Sequence, residues 1–248
     1  MLKNALHQAG FGQVASKLQE NIKQGLDGFT IPVSYHVNEK ERMDFGLSFA
    51  KDQNGQYRFE GYRAALTGEN KPQESRQQVF HIQEGGVTAT EAYHLLSGRA
   101  LQPQSCVGEN KWLQLDFTDK DATGNHRVKE FRSGYGYDLE QTLRDLPLKE
   151  NQNPELAGKL AAALAGGDRQ QVTVERNGRE QKFFIEANPQ GKTVTLYDEH
   201  SRKVSLSSVL GRKPADTVRQ AKESLKAEQH AKTEQHTGKA RKNGMSIG

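Results

Sequence analysis

Three times along the chain a helical pattern of apolar residues runs into a glycine and then into short alternating strands, and this recurrence constrains the fold more than any other feature. The clearest copy spans Val87 to Arg132. Thr88 with Glu91 three residues later forms a capping box, Val87 stands where a hydrophobic staple begins, and Gly98 supplies the left-handed residue that closes a helix after Leu95 and Leu96. Leu113, Leu115 and Phe117 then alternate at strand period.

In the first copy Phe11, Val14, Leu18 and Ile22 keep helical spacing up to Gly28. Phe29 to Val37 and Met43 to Phe49 alternate as strands, and Asn54-Gly55 turns the chain into Tyr57 to Tyr62. The third copy opens with Asn153 as N-cap and Pro154 at the first helical position, and carries Leu156, Leu160, Ala163 and Leu164 to Gly166-Gly167. Val172 and Val174, the Asn177-Gly178 hairpin, Phe183 and Ile185, then Val194 and Leu196 complete it. Gly28, Gly98 and Gly166 stand 70 and 68 residues apart, and Gly55, Gly124 and Gly191 follow them by 27, 26 and 25. The expected class is therefore α+β: three repeated helix plus three-stranded antiparallel meander units, followed by a basic C-terminal tail that is helical and then disordered. Pro32, with no amide hydrogen, belongs on a sheet edge.

The boundaries follow from composition. Residues 1–66 form the first unit, and 67–86 a linker with one short strand at Phe80 and Ile82, because TGENKPQESRQQ holds almost nothing apolar. Residues 87–148 are the second unit with an added helix that Asp138 caps and Pro147 stops, 149–211 the third unit, and 212–248 the tail. Lys149 to Asn153 reads as a second linker, and Val204 to Leu210 as a short apolar piece packed on the third unit.

Charge is placed unevenly. Residues 212–248 hold nine Lys or Arg against four Asp or Glu, which leaves 26 basic and 27 acidic side chains of the chain's 35 and 31 for residues 1–211. The pI of 9.0 is a property of the tail. Arg212, Lys213, Arg219, Lys222, Lys226, Lys239, Arg241 and Lys242 are candidate phosphate contacts, joined by Arg176 and Arg179 around the Asn177-Gly178 turn. A mean hydropathy of -0.86, the absence of an apolar run of membrane-spanning length, and an N-terminus without a signal-peptide core lead to the expectation of a cytoplasmic protein with no membrane partner. The single cysteine, Cys106, fits a reducing compartment and reads as a strand thiol with at least half its surface buried.

Several motifs resemble sites. Asp119, Asp121, Thr123 and Glu130 match the oxygen spacing of a calcium loop, but such a loop needs flanking helices, and strands precede it, so a hairpin turn is the reading. The eight histidines form no ligand spacing, and no nucleophile with a base, phosphate loop or carboxylate pair is legible, so no metal, cofactor or catalytic residue is expected. Trp112 alternates out of phase with Leu113, Leu115 and Phe117; it packs beneath a neighbouring unit or marks an interface.

The stretches GVTATEAYHLLSGRALQ, NKWLQLDFTDKDATGNHRVKEF, YGYDLEQTLRDLPLKE and FFIEANPQGKTVTLYD resemble an uncharacterised family of proteins encoded in bacterial conjugative transposons and related mobile elements. That resemblance runs from Phe11 to Asp198 and implies a setting in DNA transfer, with no activity or site residue to carry over. The expectation is a non-enzymatic accessory binding protein whose basic tail contacts DNA non-specifically while its folded part takes an unidentified protein partner. The alternative is a protein interaction or regulatory scaffold with no nucleic-acid binding.

Overall fold

The computed structural model describes residues 2–68, 71–82, 86–106, 111–176 and 178–210. The chain divides after Ser201 into two units. The larger carries helices α1 (Leu2–Gln8), α2 (Ala15–Lys23), α3 (Ala89–Leu96), α4 (Leu139–Arg144) and α5 (Pro154–Ala165). Its strands are β1 (Gly28–Asn38), β2 (Glu41–Lys51), β3 (Tyr57–Gly68), β4 (Lys71–His81), β5 (Trp112–Lys120), β6 (His126–Phe131), β7 (Gln170–Arg176), β8 (Arg179–Asn188) and β9 (Thr193–Tyr197). The smaller unit holds β10 (Lys203–Val204) and α6 (Leu206–Leu210). The fold is α+β, and these nine strands of the larger unit pair only antiparallel.

The first sheet runs β1-β2-β3-β4 and turns one face of Met43, Phe45, Leu47 and Phe49 into the core, as the alternation of apolar residues requires. Phe11 lies fully buried on that face and meets Phe45, Phe59 and Tyr62 edge-on at ring-centroid distances of 5.1, 6.4 and 5.0 Å. Pro32 sits opposite Gly46 on β1, an edge strand, as its missing donor demands. At Gly61 the β2–β3 register slips and φ is +153°, and a Cβ there would stand 2.2 Å from the Phe80 carbonyl oxygen.

Five expectations change. The repeated three-stranded meander is not what the chain builds, since the first sheet has four strands and the second, β5-β6, has two. In the second segment the first strand is reduced to one bridge between Leu101 and Leu113. Residues 71–81 are no linker: they form β4, which pairs with β3 from Gly61↔His81 to Gly68↔Lys71. Its polar side chains suit an edge strand, and backbone pairing needs no apolar sequence.

The helix expected from Phe11 to Gly28 is two pieces, with a separate α1 before it. Gly10, at φ +88°, stops α1, a 3-10 turn covers Gly12–Val14, and α2 ends before Gly25, at φ +72°, so that Gly28 begins β1. Gly98 at +88° and Gly167 at +92° are the corresponding left-handed residues, which moves the spacing to 73 and 69. Lys149 to Gln152 is a 3-10 turn, anchored by Glu150 Oε1 accepting from the Thr173 amide at 2.9 Å, and not a free linker. Cys106 ends a 3-10 turn, Gln104–Cys106, instead of lying in a strand.

Gly61 has no tolerated substitute at this register. Gly61→Ala is expected to lower stability by about 3 kcal/mol, because the added methyl must displace the Phe80 backbone. Urea unfolding midpoints of the two proteins check this, and a loss below about 0.5 kcal/mol would contradict the register.

Candidate functional site

A groove of about 980 Å³ opens between α4 and α5 in the larger unit. Each wall is positioned by a helix cap. Asp138 Oδ1 accepts the Gln141 amide at 2.9 Å and starts α4, while Asn153 Oδ1 accepts the amides of Glu155 and Leu156 at 2.9 and 3.3 Å ahead of Pro154 and starts α5. Asn151 Nδ2 donates to the carbonyls of Leu143 and Leu146, at 2.7 and 2.9 Å, and closes the end of α4.

Along α5 the residues Pro154, Ala157, Gly158, Ala161, Ala162 and Ala165 recur at helical spacing on the groove side. Leu160 and Leu164 point the other way, into the core, whereas Leu156, expected on that buried stripe, is 49 % exposed. At the floor Trp112 meets Tyr137 edge-on, 5.2 Å between centroids, and the Tyr137 hydroxyl donates to the Thr193 carbonyl at 3.1 Å. Burial raises the Tyr137 phenol well above its usual range, so it stays a neutral donor. Gln102 also faces the groove, and its backbone amide donates to the Ala165 carbonyl at 2.7 Å, fixing the C-terminal end of α5. The lining sets the small apolar face of α5 and two aromatic rings against a comparable polar share from Gln102, Ser133, Asp138, Glu140, Arg144 and Asn151.

Of the residues expected to act, Trp112 alone lies here, and it is 3 % exposed, a packed floor and not a protruding anchor. Arg179 is exposed at the start of β8, opposite Arg176 across the hairpin, and does not line the groove. The Arg176 side chain and Arg212, Lys213, Arg219, Lys222, Lys226, Lys239, Arg241 and Lys242 lie outside the described residues. The groove face of α5 escaped the sequence reading because alanine and glycine carry little hydropathy signal; their recurrence beside the Leu160 and Leu164 stripe was the available clue.

The loop from Asp119 to Glu130 is a β-hairpin. Asp121 Oδ1 accepts from the Thr123 amide and hydroxyl and from the Asn125 amide, at 2.8, 2.7 and 3.0 Å, which lowers its pKa and satisfies the turn internally. Asp119 pairs with Arg127 at 2.8 Å, and Glu130 with Arg132 at 3.0 Å. Among the described residues no group of three or more His, Cys, Asp or Glu could hold a metal.

A second polar cluster lies between α3 and the strands β7, β8 and β9. Arg169 Nε donates to Glu186 Oε1 at 2.8 Å, Tyr197 donates to Glu186 Oε2 at 2.7 Å, and the guanidinium lies 4.0 Å from the centre of the Tyr197 ring. Beside it His94 Nε2 stands 3.4 Å from Asp168 Oδ1, and His94 Nδ1 is buried without a hydrogen-bond partner. Burial, aided by Arg99 and opposed by Asp168 and Glu186, lowers the His94 pKa to about 4.

The sign of the pH effect follows. Between about pH 6.5 and 4 the unfolded chain binds a proton that folded His94 refuses, so stability is full above this window and falls as pH drops through it. From pH 7 to 5 the loss at this residue is about 2 kcal/mol, and His94→Gln should remove it. A smaller slope remains from His126, whose pKa burial also lowers. Urea midpoints at the two pH values check the difference, and equal slopes for both proteins would contradict it.

No helix among the described residues is long and apolar enough to cross a membrane. No family model, curated protein or solved structure matches the chain.

Proposed function

We propose that the chain is a non-enzymatic, cytoplasmic accessory protein of a mobile genetic element, a binding protein whose residues 212–248 contact nucleic acid through phosphates while the folded part takes a protein partner. The observation that carries the nucleic-acid half is the separation of charge: five net positive charges lie in 212–248 against a near-neutral remainder. The observation that favours the second reading, a protein-interaction scaffold without nucleic acid, is the α4–α5 groove. In either reading the three segments of helix and antiparallel strands are diverged copies of one unit whose strand number has changed, with a fourth strand in the first and a first strand reduced to one bridge in the second.

The test compares the full chain with a truncation after Gly211 on duplex DNA of several sequences. The full chain should bind weakly and without sequence preference, and lose on the order of 10²-fold in affinity between about 50 and 200 mM salt, because each neutralised phosphate releases counterions. The truncation should hardly bind. Equal affinity for both would remove 212–248 from the mechanism, and no binding by either at low salt would leave the scaffold reading in its place.

A further inference from the structure

We propose that β1 is the surface on which two copies of this chain associate edge to edge, joining their β1-β2-β3-β4 sheets into one continuous sheet. β1 stands at the end of that order, and among the described residues no strand pairs on its other side. The chain covers its other long edges itself. On β4 the Val79 amide donates to Asn125 Oδ1 at 2.9 Å, and on β7 the Thr173 amide donates to Glu150 Oε1 at 2.9 Å and the Glu175 amide to the Pro147 carbonyl at 3.1 Å. The edge strand β6 is shorter and carries Arg127, Lys129 and Glu130, whereas the 11 residues of β1, GFTIPVSYHVN, include no Lys, Arg, Asp or Glu to discourage pairing.

The missing amide of Pro32 fixes which groups face outward. Pro32 cannot donate to Gly46 opposite it, so the ladder to β2 is made by Ile31 with Leu47 and by Val33 with Phe45, and the alternate residues Thr30, Ser34 and His36 turn N–H and C=O to the open side. Such a row of groups is matched by another extended strand. An antiparallel second copy matches Ser34 and His36 when the two-fold axis passes at Tyr35: Ser34 and the second copy's His36 exchange bonds in both directions, and the axis repeats the exchange. Centring on Val33 or Ser34 would set Pro32 opposite Ser34 or His36 and leave a carbonyl without its donor, and beyond His36 the register is broken by the bulge at Val37. The side chains fit the same occupant. Val33 and Val37 are half-buried on their own core and Tyr35 is 37 % exposed, and in this register Val33 meets the second copy's Val37 and Tyr35 meets its counterpart on that same face.

This association goes beyond the function proposed above, and its test is run where nucleic acid plays no part. Sedimentation equilibrium of the full chain, nuclease-treated and kept at about 0.5 M salt to screen phosphate contacts, should show a mass rising from 27.7 kDa toward twice that value between about 1 and 200 µM, the range of a small interface. Ser34→Pro removes an outward donor that the β1–β2 ladder does not use, and Asp44, which loses the Ser34 hydroxyl at 2.6 Å, stays held by Arg42 at 3.0 Å. It should weaken the dimer at least tenfold and leave the circular dichroism spectrum unchanged. In a Cys106→Ser background, Tyr35→Cys should form a disulfide between copies on mild oxidation, because Cα atoms across such a pair lie about 4.5 Å apart, whereas Val33→Cys, separated from its counterpart by about 13 Å along the strands, should not. A 27.7 kDa species over the whole range, a dimer that Ser34→Pro leaves intact, or equal cross-linking by the two cysteine variants overturns the proposal. So does a dimer that forms only after truncation at Gly211, which would assign the open edge to residues 212–248.

Discussion

Six of the eight residues of α3 are buried, and the rest of the larger unit is arranged around satisfying that helix on every side. Leu95, Leu96 and Ala92 meet the first core, together with Phe11 and the inner face of β2 and β3. Glu91 and His94 are the two polar residues among the six, and they are handled differently. Glu91 accepts the Thr88 amide at 2.7 Å and the Gln104 amide at 2.7 Å, so one carboxylate both starts the helix and ties down the segment that follows it. His94 reaches the opposite side, where Gly167 packs so closely that a Cβ would stand 2.9 Å from the histidine's own. The glycine that ends α5 is therefore required twice, for its φ of +92° and for the space that His94 occupies.

The junction between the first two sheets rests on side chains that imitate backbone. Gln78 on β4 donates to the His126 carbonyl at 3.1 Å and accepts its amide at 2.8 Å, the pair of bonds a neighbouring strand would make. Asn125 Oδ1 accepts the Val79 amide at 2.9 Å and completes the seam. Buried at 6 % exposure, Gln78 could not be replaced by an apolar residue of similar size without leaving the His126 backbone groups unpaired, a cost of about 1–3 kcal/mol each. These contacts are long-range and are made by amides, so polar composition in 71–78 means sheet pairing here where local reading gives an exposed loop.

What was legible in the sequence is what local chemistry decides. The Thr88 and Glu91 box, the Asn153 cap with Pro154, the Asp138 cap and the edge position of Pro32 all stand in the structure as their side chains dictate. Hairpins were likewise legible, since Gly55, Gly124 and Gly178 adopt the positive φ that their turns need. Where several glycines compete, local chemistry does not choose among them. Gly25 and Gly28 are both able to end α2, and the pairing of Gly28 with Ala50 on β2 decides in favour of Gly25. The candidate site was the least legible part, because its wall is defined by side chains that are small and its floor by residues from separate segments, Trp112 and Tyr137.

The two faces of α5 show how burial alone orients a helix in this fold. Leu160 and Leu164 anchor the helix in the core, so its orientation is set by burial, and the Ala and Gly face must then point into the groove without contributing to that anchoring. A helix that needed only to be stable would gain from a larger residue at Gly158, where glycine costs about 1 kcal/mol relative to alanine and nothing in the fold occupies the space. Neither a left-handed φ nor a close contact within the chain explains that glycine, in contrast to Gly61 and Gly167. What the glycine leaves at this point is a low, open wall of the groove, with no side chain rising from α5.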